Sequence, residues 1–528
     1  MGTKGGTAYP IFGKSLHCNG LYPSRLVVQD AAYGTLLRSR RQQLHARIVA
    51  TLEAQFPEIV TAQPQLMAQH CAEAGLNEKA VGYWLKAGQQ AIARSAMTEA
   101  ESQLRKGLNL LTILPPDDPS RRQQELDLQI ALGPALIATK GFGAPPVGET
   151  YTRARELAEQ LDRRDCLVPL LRGQFQFHLI RGEYKLALPF AEQMEMIGKA
   201  RNDAAALSSG QFSHAYTRFL LGEITFARTL FERCLGLGDL ANLADSAAQT
   251  PQDSSERRGA RLVAYRSFLA TGSRHVAMLT SLAPTLTYLG YVDQARTRAA
   301  EAVSEARKLG HAFTLAYALV QSCFVSWISR DSPDEAHRHA NEMLTLAEEH
   351  NFPYYVAWGM IHRGWSLAAL GQGQEGITLL RRGLSMVHAT GTVSNTSDVF
   401  IKLAEAHARL GQRVETLNCL DEAAQIIEAI DERYHEAELH RLRGDLTMAK
   451  ADCAAAEHNY RQALAVAERQ GAKLMELRAA TNLASLWRDQ GKRAEARDLL
   501  APIYGWFTEG FDTLDLKQAK SLLDELAQ

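Results

Sequence analysis

The run HEAELH, residues 435–440, comes within one residue of the H-E-x-x-H zinc pattern. In that pattern two histidines four apart on a helix share a metal while the glutamate works a bound water. His435 and His440 are five apart, so their rings point roughly 140° apart around a helix and one ion cannot take both. His337 and His339 lie two apart, roughly 200° around a helix, and are expected on a solvated surface. Trp358, His362 and Trp365 fall at i, i+4 and i+7 and share one face. That stripe is either an aromatic ledge inside a superhelix, gripping a peptide or small ligand, or filling between neighbouring helices. No Ser-His-Asp, Cys-His or paired-carboxylate grouping stands out. No catalytic, metal-binding or cofactor-binding residue is therefore assigned, and no cofactor is expected.

The element that positions these residues is a repeat. Glycines in helix-turn contexts fall at Gly182, Gly222, Gly290, Gly371, Gly411 and Gly491, with a step of 40 from 182 to 222 and from 371 to 411. Filling the gaps at that period places equivalent turns at Asp331 and Ala451. Five residues after the turns stand Ala187, Ala227, Ala295, Ala336, Gly376, Thr416, Ala456 and Ala496. Seven before them stand Ala215, Ala283, Gly364, Ala404, Gly444 and Ala484, with Phe175 and Phe324 breaking the column. Small residues at both positions let paired helices approach closely, and larger apolar ones fill the space between pairs. The expected fold is all-α, a solenoid of helix–turn–helix units. YHEAELHRLRGDL then reads as the first helix of one unit. Leu439, Leu442 and Leu446 pack, Gly444 marks the crossing, and Glu438 with Arg441 forms an i,i+3 pair on the wet side.

Composition agrees with helices: hydrophobic content is 46%, and aromatics are 7%. Lys plus Arg number 58 against 59 Asp plus Glu, so neither nucleic acid nor an acidic membrane is expected as a partner. The arginines 38, 40, 41 and 47, in the helical pattern of 26–54, read as a solvated face rather than a phosphate contact. The seven cysteines form no C-x-x-C, which suits buried thiols in a reducing cytoplasm. No apolar run approaches the ~18 residues of a membrane span, and the opening lacks the apolar core of a secretory signal. A cytoplasmic chain is expected.

The small-residue spacing resembles the tetratricopeptide repeat, with longer helices than its usual period of about 34 allows. The run VQDAAYGTLLRSRRQQLHARI (28–48) resembles the segment that closes the ATPase module of certain bacterial signalling proteins. Those carry a class III adenylate/guanylate cyclase domain, a P-loop ATPase of the AAA/STAND type and a tetratricopeptide array. ELDLQIALGPALIATKGFGAPPVGETYTRARELAEQL, EAELHRLRGDL and the tail from residue 470 fit that array. This chain has no G-x-x-x-x-G-K-[ST] to wrap phosphates and no β-rich stretch for a cyclase fold. The resemblance therefore implies the carboxy-terminal arm alone.

The expected division is an unmatched, disordered start (1–25), a helical remnant of the ATPase-closing segment (26–60) and opening hairpins (61–163). Repeats follow over 164–240, then an irregular insertion (241–285), then repeats over 286–528 with a capping helix. Trp506, Phe507 and Phe511 are expected to cover the open end of the array. The expected function is a non-catalytic protein-interaction module with a protein or peptide partner, by resemblance a cyclase/ATPase signalling protein. Two rivals are a cyclase- or ATPase-family protein with residual nucleotide-linked activity, and a ligand-sensing transcriptional regulator.

Overall fold

In the computed structural model the described residues are 37–115, 119–247, 273–449 and 451–528. The unmatched start, Cys18 and most of the irregular insertion lie outside them. The chain divides into two compact units, residues 1–80 and 81–528. Every regular element among the described residues is helical.

The first unit contains α1 (Arg38–Gln55), α2 (Pro57–Ala62) and α3 (Pro64–Glu73). Proline opens both α2 and α3, where its missing N–H costs nothing. Arg38, Arg40 and Arg47 are exposed on α1. The helix α4 (Asn77–Ala93) carries the chain across the boundary into the second unit.

The second unit continues with α5 (Met97–Leu111), α6 (Pro119–Lys140) and α7 (Pro145–Gln160). Helix pairs follow: α8 (Leu167–Ile180) with α9 (Tyr184–Arg201), α10 (Ala204–Leu220) with α11 (Ile224–Ala247), and α12 (Arg274–Tyr288) with α13 (Val292–Leu309). Next come α14 (Ala312–Ser329) with α15 (Pro333–Glu349), α16 (Pro353–Ala369) with α17 (Gly373–Ala389), and α18 (Thr396–Arg409) with α19 (Arg413–Ile430). The array ends in α20 (Glu436–Met448) with α21 (Cys453–Gln470), α22 (Lys473–Asp489) with α23 (Arg493–Gly505), and a last helix, α24 (Leu514–Ala527). The outer parts of the stretch read as an insertion are thus helical, in α11 and α12.

Left-handed backbone makes the turn inside each pair: φ is +75° at Gly182, +84° at Gly222 and +92° at Gly371. A second series joins successive pairs, with left-handed residues at Asn202, Gly310, Asn351, Gly391, Asp431 and Gly471, the last four of them 40 apart. One turn differs from expectation. Between α14 and α15 the left-handed residues are Arg330 and Ser332, not Asp331. The first-helix register therefore moves by one, and Cys323, not Phe324, takes the small position. Its Sγ lies 3.5 Å from the carbonyl of Ala336 on α15.

The small-residue columns are buried where paired helices cross. Ala187, Ala215, Ala227, Ala283, Ala295, Ala336, Ala404, Ala456, Ala484 and Ala496 are all fully buried. A Cβ on Gly364 would stand 2.7 Å from the carbonyl oxygen of Gly376, and one on Gly444 would stand 2.3 Å from the Tyr460 ring. Glu438 and Arg441 are not on a wet side: both are buried, 2.7 Å apart. Their helix faces an earlier turn of the superhelix, through Arg330, instead of solvent. Contrary to the membrane-span expectation, α14 is long and apolar enough to cross a bilayer by length and composition, with mean hydropathy 1.4. In the fold 83% of it is buried among other helices.

The superhelix of the second unit closes after four to five pairs. At the end of α8 the Ile180 carbonyl accepts from the amides of Val393 and Ser394, each at 2.9 Å, just before α18. The end of α10 repeats this, with Leu220 accepting from Arg433 at 2.8 Å before α20. Tyr288 at the end of α12 reaches His435, oxygen to Nδ1 2.6 Å. Arg478 of α22 donates to the Ile328 carbonyl at the end of α14. Trp506 and Phe507 do not simply cover an open end. Trp506 meets Tyr291 edge-on at 5.5 Å, and both rings sit beside Gly290, so they belong to this seam. Phe511 stays half-exposed.

Candidate functional site

The first helix of each pair directs one stripe inward. Its positions lie 13, 9 and 6 residues before the left-handed turn, the i, i+4, i+7 spacing of one helical face. On α16 these are Trp358, His362 and Trp365. One step of 40 along, on α18, they become Asp398, Lys402 and Glu405. One pair earlier, counted from Arg330, they are Tyr317, Gln321 and Phe324. The stripe therefore runs from aromatic to charged along the array.

Within the superhelix the stripes surround a cavity with about 940 Å³ of atom-free space, counting its open mouth. About 70 Å³ of it can hold the centre of a water-sized sphere. Tyr216, Tyr317, Gln321, Phe324, Trp358, His362 and Asp398 line it from successive stripes. Trp365 does not; it is buried in the core beside it. His337 and His339, expected in solvent, are half-buried on α15. Each ring lies 3.1 Å from a serine of a first helix, Ser366 and Ser322 respectively.

Aromatic rings form the walls. Tyr354 meets Phe142 edge-on at 5.2 Å, and Trp358 lies 6.0 Å from His362. At one end the Arg172 guanidinium sits 4.9 Å over Phe212 and donates to Ser213 at 2.6 Å. Burial pulls its pKa down to about 10, so it stays charged at neutral pH. At the other end Lys402 donates to Asp398 Oδ2 at 2.8 Å, with both side chains fully buried. The ammonium also lies 3.3 Å from the Trp327 ring centre. Burial pushes Asp398 up and Lys402 down, and their mutual attraction opposes both shifts. Burial first, and the nearby Lys402 second, hold the His362 pKa well below 6.5, so its ring is neutral.

Leaving Arg172 aside, five buried polar atoms on this lining have no hydrogen-bond partner: Nε1 of Trp358, both ring nitrogens of His362, the hydroxyl of Tyr355 and Oδ1 of Asp398. Flat walls with unsatisfied donors and acceptors at one end make a surface suited to binding. The sequence pattern exposed Trp358 and His362 but not Asp398, Tyr317 or Arg172. Stepping the tryptophan stripe by the repeat period would have found Asp398.

No family model matches the chain. An uncharacterized protein of Rhizobium meliloti (strain 1021) is 24% identical over 466 residues, covering 87% of this chain. The match covers 43% of that relative, so the chain spans less than half of its length. Among solved structures, the Rap protein complexed with Competence and Sporulation Factor superposes with a TM-score of 0.50 at 14% identity. It covers 74% of this chain and 99% of that one. The APC/C hetero-tetramer Cut9–Hcn1 gives a TM-score of 0.43 at 14% identity, over 96% of this chain and 99% of that one. The first of these likenesses shows the fold: an α-solenoid similar to tetratricopeptide-type repeat proteins.

Proposed function

We propose that the chain is a protein-interaction module, a regulatory or scaffold arm of a cyclase/ATPase signalling system. The observation that carries this reading is the continuous stack of helix pairs locked by its own seam, because a rigid array presents a long surface of fixed geometry. The first helices bury their stripes inward, so a protein partner meets the second helices. There Leu186, Met196 and Phe226 stand half-exposed or more. The Rap structure, solved with Competence and Sporulation Factor, is an instance of this fold holding a partner.

The test is direct titration of the purified chain with a cyclase–ATPase protein of the same cell, followed by light scattering. A complex of fixed stoichiometry is expected, weakened about tenfold or more by the pair Leu186→Asp and Phe226→Asp. Absence of any complex sinks the reading. Nucleotide turnover by the isolated chain above background would favour the enzymatic rival.

A further inference from the structure

We propose that the central cavity binds a small, flat, uncharged nitrogen heterocycle, stacked among its rings and hydrogen-bonded edge-on to His362 and Asp398. This goes beyond the partner reading, uses the inside of the array rather than its outer face, and stands or falls separately from it.

Buried polar groups almost always find a partner, and those that do not require an explanation. The two His362 nitrogens, the Tyr355 hydroxyl and Asp398 Oδ1 are fully buried, line one cavity and have none. Their chemistry specifies what would satisfy them. The free carboxylate oxygen only accepts, so it needs an N–H donor. A neutral imidazole offers one donor and one acceptor, so it pairs with a ligand edge carrying both kinds of group. His362 and Asp398 occupy neighbouring stripes, and Lys402 links them, bonded to Asp398 and near enough to act on His362.

The walls set the remaining features. Phe142, Tyr317, Phe324, Tyr354 and Trp358 offer faces on which a planar ring stacks. At roughly 10–15 Å³ of such volume per water, the 70 Å³ available accommodates a compact ring system and little more. At the His362 and Asp398 end the charge complement is already present, because Lys402 neutralises Asp398. A net charge on the ligand would be buried at a cost. An extended peptide is disfavoured because the stripe beyond the cavity is filled, with Lys402, Glu405 and Glu438 all buried.

The experiment is calorimetric titration of the full chain with cytosine, adenine and nicotinamide, each alone. Toluene serves as a ring without a hydrogen-bonding edge, and a tryptophan-containing hexapeptide as a ring carried on a chain. At least one heterocycle is expected to saturate at 1:1, with toluene at least tenfold weaker. His362→Leu is expected to weaken the heterocycle about tenfold or more, while His362→Asn, which keeps a donor and an acceptor, retains more of the affinity than Leu. Circular dichroism and urea midpoints show that the variants are folded. If His362→Leu fails to fold, Tyr354→Leu, which removes one of the stacking walls, replaces it with the same expected loss. The proposal is overturned if no heterocycle binds, if toluene binds as well, if only the peptide binds, or if a folded variant binds unchanged.

Discussion

His362 is fully buried, with two polar nitrogens that the protein leaves unanswered. An orphaned buried group of this kind costs about 1–3 kcal/mol. Without ligand, His362→Leu should therefore raise the urea midpoint, the expected trade of stability for a binding group. A lower midpoint would mean that the ring has a structural partner. Gly444 makes the opposite case. A methyl there would stand 2.3 Å from the Tyr460 ring, whose hydroxyl is tied to Asp445 at 2.8 Å, so the ring cannot easily swing away. Gly444→Ala should destabilise by about 1–3 kcal/mol through overpacking. The urea midpoint would fall at unchanged slope.

The turns between helices carry a cost where they lack glycine. Ala451 sits at φ +59° and is exposed, in the place that Gly411 and Gly491 occupy in neighbouring pairs. An L-residue in left-handed backbone pays about 1–2 kcal/mol, so Ala451→Gly should stabilise by about 1 kcal/mol, read as a higher melting temperature. The same turns explain how much of the fold was legible in the sequence. Glycines announced one series because only glycine takes that backbone freely. The second series is broken up, because Asn202, Asn351 and Asp431, which tolerate that backbone without advertising it, alternate with Gly310, Gly391 and Gly471. At Arg330 a one-residue shift moved Phe324 out of the packing column and into the cavity stripe. Phe175, the other break in that column, also lines the cavity. The pattern thus failed where large side chains were needed to build the site. Trp358 and His362 were visible from helical spacing alone, and Asp398 from stepping that stripe by one period, whereas Arg172 comes to them only through coiling of the array.

At the scale of the second unit, the closing contacts join residues far apart in the chain, from 147 positions for Tyr288 with His435 to over two hundred for Ile180 with Ser394, and no local pattern encodes them. Charge holds part of this seam. Glu438 is 2.7 Å from both Arg441 and Arg330, while Arg478 pairs with Asp515 of the last helix at 2.6 Å. Burial pushes the Glu438 pKa up, but Arg441 and Arg330 outweigh it and hold the group well below 4.5. A carboxylate depressed in the fold gives its full stabilisation above its unfolded value and loses it as pH falls toward the folded one. The urea midpoint should therefore drop progressively below about pH 4.5. Glu432, at the neighbouring seam contact, runs the other way: burial raises it despite bonds from Tyr184, Ser397 and the Asn395 amide. Its contribution is present at low pH and fades as pH rises through its folded value, which flattens the profile nearer neutrality. Glu438→Gln separates the two. At pH 7 it leaves buried arginines short of a counter-charge and should cost about 3–5 kcal/mol. Below pH 4.5 its stability should fall less steeply than that of the wild type. Equal slopes for the two proteins would show that the seam is held by its backbone bonds and aromatic packing rather than by this carboxylate.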